Sequence, residues 1–237
     1  MKRESEILIP QVAKIPAGKF FMGCDEGRDD EQPVHLVTVD SFEMGIYTIT
    51  NQEYLSFLDE TDGVYPPFIN EPIFSHPQQP VVSVSWEDAM SYCSWLSALT
   101  GTNFRLPTEA EWEWASRQMK NKKLYPWGDE DPLILEIYRH GWKDNCPQVV
   151  GQQSENLFGL FNLGDNVHEW CADWYARDYY QKSPKLNPLN STPTERKSSR
   201  GGSWRHKIKV SRCAARSSLH PSFRYTDYGF RVIKEVP

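Results

Sequence analysis

Apolar side chains recur at helical spacing in three segments, residues 51–60, 86–100 and 108–117. Each segment begins beside a side chain whose oxygen can accept from the free N–H groups of the first turn. The caps are, in order, Thr50 or Asn51, Ser85 and Thr108. In the second and third segments an acidic residue follows three positions after the cap, which is the capping-box spacing. The pattern predicts three short helices.

Shorter apolar and alternating segments predict β-strands on both sides of these helices. The clearest of them are Lys19–Met22, His35–Val39 and Phe42–Ile49, and further short strands are expected between residues 201 and 232. We also expect a short helix near Leu133–Tyr138 and a polar, mobile loop over residues 181–199. Because neither an internal repeat nor a clear boundary occurs, the chain is predicted to be one domain, residues 13–237, after an N-terminal extension of residues 1–12.

The composition indicates that much of the backbone is irregular. The 237 residues include 14 Gly and 17 Pro, and 13% are aromatic. Intrinsic disorder is excluded, because so many large apolar rings favour a packed core. Each ring buries about 150–250 Å², so a few of them can hold together loops that lack regular backbone ladders.

The charge balance narrows the classes of partner. Lys and Arg number 26 against 32 Asp and Glu, which gives a formal net charge of -6. Nucleic acids and anionic membranes attract basic faces, so neither is expected as a partner. The apolar run Ile7–Pro10 is too short for a signal-peptide core, and no stretch is long enough to span a membrane. We therefore expect a cytoplasmic protein.

The five cysteines do not form a recognisable framework. They are odd in number and widely spaced, and no C-x-x-C occurs: Cys24, Cys93, Cys146, Cys171 and Cys213. A disulfide scaffold and a structural zinc site are both disfavoured by this pattern. Buried free thiols are the expected state.

A series of short blocks, in order along the chain, resembles one known family. They include IPAGKFFMG at 15–23, PVVSVSWEDA at 80–89, RLPTEAEWEWA at 105–115, NVHEW at 166–170, RGGSW at 200–204, RCAAR at 212–216 and GFR at 229–231. Together they are similar to the formylglycine-generating enzyme, or sulfatase-modifying factor, family over about residues 13–234. The resemblance implies an α+β, C-type-lectin-like fold with few helices, small twisted antiparallel sheets and long packed loops.

The same resemblance implies O2 chemistry at a copper ion held by two thiolates, which are soft ligands suited to Cu(I). In the family pattern the first Cys stands two residues after Gly-Gly-Ser-aromatic, and here that position is His206. No Cys occurs from Trp204 to Ser211, where the second is expected. The copper-thiolate pair is therefore missing. Another branch of the family carries iron largely on an added helical domain, for which this chain has no room.

A replaced metal site is the alternative that keeps an oxidoreductase activity. Imidazole suits copper, iron and zinc, and His206 and His168 are the candidate ligands for a copper or iron ion. His206 is also the first candidate catalytic residue, and Cys213 is the second. Each has a plain structural alternative: His168 as a packed ring among tryptophans, and Cys213 as part of an apolar strand.

The resemblance also aligns four residues with a family calcium loop. Asn162 and Glu169 would give side-chain oxygens, Val167 would give a backbone carbonyl, and Asp165 a carbonyl with a possible added carboxylate. Hard cations bind several such oxygens. Loop amides satisfied by Asn162 and Glu169 are the structural alternative.

Arginines inside apolar segments are predicted to form structural ion pairs with carboxylates. Four arginines (Arg105, Arg212, Arg216 and Arg231) need carboxylate partners, with Glu109, Glu111, Glu113 and Asp173 as the candidates. The acidic run at residues 25–31 is read as a solvated loop.

A binding module is the alternative to an oxidoreductase, because a lectin-like frame displays loops and function lies in the site. Its partner would be a peptide, a protein or a small molecule. The expected contact residues, rich in aromatic and Arg anchors, are Trp204, His220, Phe223, Arg224, Tyr225 and Tyr228. A cleft in which His206 meets a second imidazole or a thiolate favours the enzyme. A flat aromatic patch with His206 pointing outward favours binding.

Overall fold

The computed structural model describes residues 7–120, 123–130, 145–152 and 155–236, and these fold as an α+β domain. The helices are α1 (Asn51–Glu60), α2 (Trp86–Thr100) and α3 (Glu109–Arg117). The strands are β1 (Val12–Ile15), β2 (Gly18–Met22), β3 (His35–Val39), β4 (Phe42–Gly45), β5 (Phe104–Arg105), β6 (His168–Trp174), β7 (Lys197–Arg200), β8 (Arg216–Leu219), β9 (Tyr228–Gly229) and β10 (Ile233–Lys234). The α+β prediction is confirmed.

The strands form three small sheets. Four strands pair in the order β1-β4-β10-β5, β2 pairs with β3, and four more pair in the order β8-β7-β6-β9. All neighbours are antiparallel except β6 and β9, which run parallel. The parallel pair departs from the antiparallel expectation, and it lies beside the candidate site.

The three predicted helices form, and each begins with a capping box. The side chains of Thr50, Ser85 and Thr108 each accept a hydrogen bond from the backbone N–H three residues on. The acidic side chain at that position accepts in turn from the backbone N–H of the cap residue. Gly101 ends α2 in the left-handed conformation, with φ of 66°. Such caps depend on residues three positions apart, so the local sequence specifies them.

The strand predicted over Phe42–Ile49 ends earlier, at Gly45. The carbonyls of Gly45 and Ile46 accept from the Arg231 guanidinium, and Ile46 also accepts from the N–H of Phe161. These carbonyls are therefore turned away from a strand partner. The helix predicted near Leu133–Tyr138 lies outside the described residues.

Two large apolar clusters pack on either side of β6, and buried ion pairs join them to the loops. Three arginines that are almost fully buried carry this network: Arg200, Arg216 and Arg231. Arg216 pairs with Glu109, Arg200 with Glu113, and Arg231 with Glu169. A buried charge is tolerated only with such a partner.

The acidic run at residues 25–31 is only partly solvated, which corrects the sequence reading. Glu31 is fully buried and accepts two bonds of 2.7 Å from Arg212. Asp30 is also buried and accepts from the hydroxyl of Tyr175 at 2.8 Å. The sequence reading failed because both partners stand far away in the chain.

The helices of the described ranges are too short and too polar to cross a membrane. The cytoplasmic location stays a prediction.

Candidate metal site

Two polar side chains meet where β6 and β9 lie side by side. His168 is the first residue of β6, and Asp227 immediately precedes β9. His168 lies opposite Tyr228 in the parallel register, and its backbone N–H donates to the carbonyl of Asp227 at 2.8 Å. The strand pairing therefore fixes the distance between an imidazole and a carboxylate that are remote in sequence.

A third side chain comes from the turn after the RGGSW block. The backbone N–H of His206 donates to the carbonyl of Ser203 at 3.1 Å, and the N–H of Trp204 donates to the carbonyl of Asn166 at 2.9 Å. The second bond ties the turn to the residues just before β6. His206 is consequently held above His168.

The three side chains present their donor atoms to one another. Nε2 of His168 lies 2.8 Å from Nδ1 of His206, and that Nδ1 lies 3.5 Å from Oδ2 of Asp227. Two donors bound to one metal at about 2.1 Å each are at most about 4.2 Å apart. Both spacings fall below this limit, and the 2.8 Å spacing is a hydrogen bond between the two rings that a bound ion would replace. In the described part of the chain, this is the one group of three such residues with ligand atoms within 4.8 Å of each other.

Ser203 forms a hydrogen bond with the Asp227 carboxylate. It is fully buried, and its Oγ donates to Oδ2 of Asp227 at 3.1 Å and lies 3.1 Å from Nδ1 of His206. This contact restricts the rotation of the Asp227 carboxylate. On the other side, the ring of Tyr228 packs 4.9 Å from the ring of His168.

His168 is kept neutral by its surroundings. Burial lowers its pKa from 6.5 to about 4, the nearby His206 adds to the lowering, and Asp227 opposes it. Only 2% of His168 is exposed, whereas 45% of the His206 side chain is. The cluster therefore has a buried, neutral imidazole at its base and a half-exposed imidazole at its mouth.

This lowered pKa predicts a pH dependence of stability in the metal-free protein. Between pH 6.5 and 4 the unfolded chain binds a proton at His168 and the folded chain does not. The free energy of unfolding should therefore fall as the pH falls through this window. Urea denaturation with a chelator present, compared with His168→Gln, isolates the effect, since the other titrating groups are common to both proteins. Parallel curves for the two proteins would contradict it.

The structure brings two of the predicted redox candidates together and leaves the third apart. His206 meets His168, a second imidazole, as the enzyme reading expected. Cys213 lies outside the cluster: it is fully buried, and burial raises its pKa to about 11, although a hydrogen bond with Ser116 opposes this. A buried thiol of this kind is a packing residue.

Asp227 was missed by the sequence reasoning. It stands two residues before the GFR block, among residues that were predicted to contact a binding partner. A carboxylate flanking a family block was the available signal. Its pairing with His168 depends on the β6–β9 register, which the sequence pattern does not reveal.

The four residues of the predicted calcium loop are close together, but their oxygens are largely engaged. Glu169 accepts two bonds from Arg231 and one from the Trp112 indole at 2.8 Å. Oδ1 of Asn162 accepts from the N–H of Gly151 at 3.1 Å. The side chain of Val167 packs in an apolar cluster.

Asp165 is the member that could still take a cation. Its Oδ1 is buried and lacks a hydrogen-bond partner among the described residues. Burial raises the pKa of this carboxyl to about 7, against a bond from Asn162 that lowers it. An adjacent cation would favour the ionised form. Calcium binding stays a prediction.

The six residues predicted to contact a binding partner are partly exposed and partly buried. Phe223 and Tyr225 are about half exposed and form a row of rings with His220. Trp204 and Tyr228 are 5% and 6% exposed, so they pack under the surface rather than display themselves. The remaining member, Arg224, is held by two bonds from its guanidinium to Asp88.

Comparison with known proteins gives matches over almost the whole chain. A family model described as the sulfatase-modifying factor enzyme 1-like domain matches residues 1–236. The formylglycine-generating enzyme of Streptomyces coelicolor is 30% identical over 94% of this chain and 88% of its own length. The serine/threonine-protein kinase pkn1 of Chlamydia caviae is 32% identical over 97% of this chain. The match spans only 38% of that kinase-named relative.

Solved structures agree on the fold. PvdO from Pseudomonas aeruginosa superposes with a TM-score of 0.79 and 28% identity, over 96% of this chain and 95% of that one. Variable protein 1 of Treponema denticola gives a TM-score of 0.81 at 22% identity, over 95% of each chain, a likeness of fold alone. The expected lectin-like architecture is confirmed.

Proposed function

The chain belongs to the sulfatase-modifying factor enzyme 1-like family, and from this premise we propose that it is a metal-dependent oxidoreductase. Its ligands would be His168, His206 and Asp227, in place of the thiolate pair that the family resemblance implies. The observation that carries the proposal is the convergence of these three donors from separate parts of the chain.

The copper-thiolate arrangement does not fit the residues present. No cysteine joins the cluster in the described ranges. Two imidazoles and one carboxylate form a harder donor set, and with open positions this set is typical of non-heme Fe(II) oxygenases. Iron is therefore the favoured metal.

The protein groups have distinct tasks in this proposal. The neutral His168 ring offers an unprotonated nitrogen at the buried base, and Asp227 contributes the negative charge. Ser203 orients that carboxylate through its 3.1 Å hydrogen bond. His206 completes the set on the exposed side, where a substrate can approach. A bound redox-active ion would supply O2 activation, which none of these side chains provides.

Oxygen consumption tests the proposal. Protein supplied with Fe(II) and ascorbate should consume O2 faster than Fe(II) and ascorbate alone, and His206→Ala should abolish the excess. His220→Ala is the matched control, because that ring lies on the surface, where it hydrogen-bonds with Ser222. Equal rates for wild type and His206→Ala would exclude a catalytic role for the cluster.

The exposed ring row favours a second candidate function, a non-catalytic binding module. The ring centroids of His220 and Phe223 are 5.2 Å apart, and those of Phe223 and Tyr225 are 6.1 Å apart. Rings of this type anchor protein or peptide partners. In that case, substituting both Phe223 and Tyr225 by Ala would abolish binding of a protein or peptide partner. His206→Ala would leave that binding unchanged.

A further inference from the structure

Arg205 lies at the mouth of the His168–His206–Asp227 cluster. One guanidinium nitrogen is 3.8 Å from Oδ1 of Asp227, and the group lies over the Trp204 ring, 5.7 Å from its centroid. Trp204 is itself buried in an apolar cluster, so it gives the guanidinium a firm base. These contacts hold Arg205 beside the site rather than leaving it free in solvent.

The hydrogen-bonding capacity of Arg205 is nevertheless unused. Its side chain is 49% exposed, and apart from the 3.8 Å ion pair with Asp227 it makes no polar contact within the described residues. A guanidinium has five N–H donors in a planar fork that matches a carboxylate. Two other arginines, by contrast, each make a two-bond pair with a carboxylate: Arg212 with Glu31, and Arg224 with Asp88.

The charge around the site has the sign that attracts an anion. Arg205, Lys207 and Lys209 are all exposed along the turn that carries His206, in a chain of formal net charge -6. A divalent ion with two neutral imidazoles and the Asp227 carboxylate leaves one positive charge, and Arg205 adds a second. An anionic ligand would neutralise this excess.

We propose that the substrate is a small carboxylate-bearing molecule, and that Arg205 binds its carboxylate while the molecule occupies the metal site. This inference rests on the proposed function and names its substrate class. Asp227 would hold the guanidinium near the ion, and the Trp204 ring lies beneath it at 5.7 Å. A metal-bound anion then receives one or two charge-assisted hydrogen bonds from Arg205.

The test uses the whole 237-residue chain loaded with Co(II), whose visible absorption reports changes at the metal. Succinate is the anionic probe, and succinamide is its neutral counterpart. Succinate should change the Co(II) spectrum of the wild type and succinamide should not. The apparent dissociation constant for succinate should rise about ten-fold or more in Arg205→Gln.

Lys209→Gln is the matched control, because it removes one exposed positive charge from the same turn. Its dissociation constant should change less than about three-fold, since screening weakens an exposed charge without a fixed position. Equal affinities for Arg205→Gln and wild type, or no response of the wild type to succinate, would overturn the inference and leave the metal site intact. Failure of Co(II) to bind would overturn the proposed function and this inference together.

Discussion

Replacing Glu169 with Ala is expected to lower the free energy of unfolding by about 3–5 kcal/mol. Glu169 is fully buried, and it accepts two bonds from Arg231 and one from the Trp112 indole. Without it, the Arg231 guanidinium would be a buried charge without its counterion. The change would also leave a cavity between the two apolar clusters. Urea denaturation followed by tryptophan fluorescence measures the loss.

Glu235→Ala is the control for this variant. Glu235 also pairs with an arginine, Arg105, at 2.8 Å, but 46% of its side chain is exposed. The loss there should stay below about 1 kcal/mol, because water replaces the partner. If both substitutions cost the same, the buried network would not have the role assigned to it. Repeating both titrations with calcium also shows whether Glu169 binds that ion, since the wild type would then be stabilised and Glu169→Ala would not.

Asp227→Asn is expected to reduce metal affinity by about 100-fold or more, because it removes the one anionic ligand of the cluster. Second-shell changes alone commonly reduce affinity by about 10–100-fold, and a lost ligand should exceed them. Asn has nearly the same shape, and its side-chain oxygen can still accept from Ser203, so the fold should be kept. Titration of metal-free protein with Co(II), followed by absorption or calorimetry, gives the affinity.

Asp29→Asn removes one negative charge from an exposed ion pair with Arg177 and serves as the comparison for charge alone. Its metal affinity should equal that of the wild type. Ser203→Ala should show an intermediate loss, since it frees the Asp227 carboxylate without removing it. Undiminished affinity in Asp227→Asn would show that the ion lies elsewhere.

The features that could be predicted from the sequence are those defined by short spacings. The capping boxes of α2 and α3 were predicted because their two partners stand three residues apart, whereas for α1 only the cap itself was predicted, as Thr50 or Asn51. The pair of Arg105 with Glu111 was within reach for the same reason. The family blocks located His206 because a ligand position can be counted from Gly-Gly-Ser-Trp.

The features that were missed depend on contacts between distant segments. Arg231 was expected to pair with a carboxylate of α3 or with Asp173. Its partner is Glu169, for which a calcium ion or loop amides had been predicted. Arg212 pairs with Glu31, from the run that was read as solvated. Asp227 reaches His168 through a parallel strand pair only two residues long. Such contacts are decided by tertiary packing, and local patterns do not record them.

Anomalous diffraction tests most directly whether iron binds at the His168–His206–Asp227 cluster. The crystals are of protein supplied with one equivalent of Fe(II) under anaerobic conditions. We expect one iron peak about 2.0–2.2 Å from a nitrogen of His168, a nitrogen of His206 and an oxygen of Asp227. Crystals of Asp227→Asn prepared in the same way should lack this peak. No peak in the wild type, or a peak away from these three side chains, would show that the cluster does not bind iron.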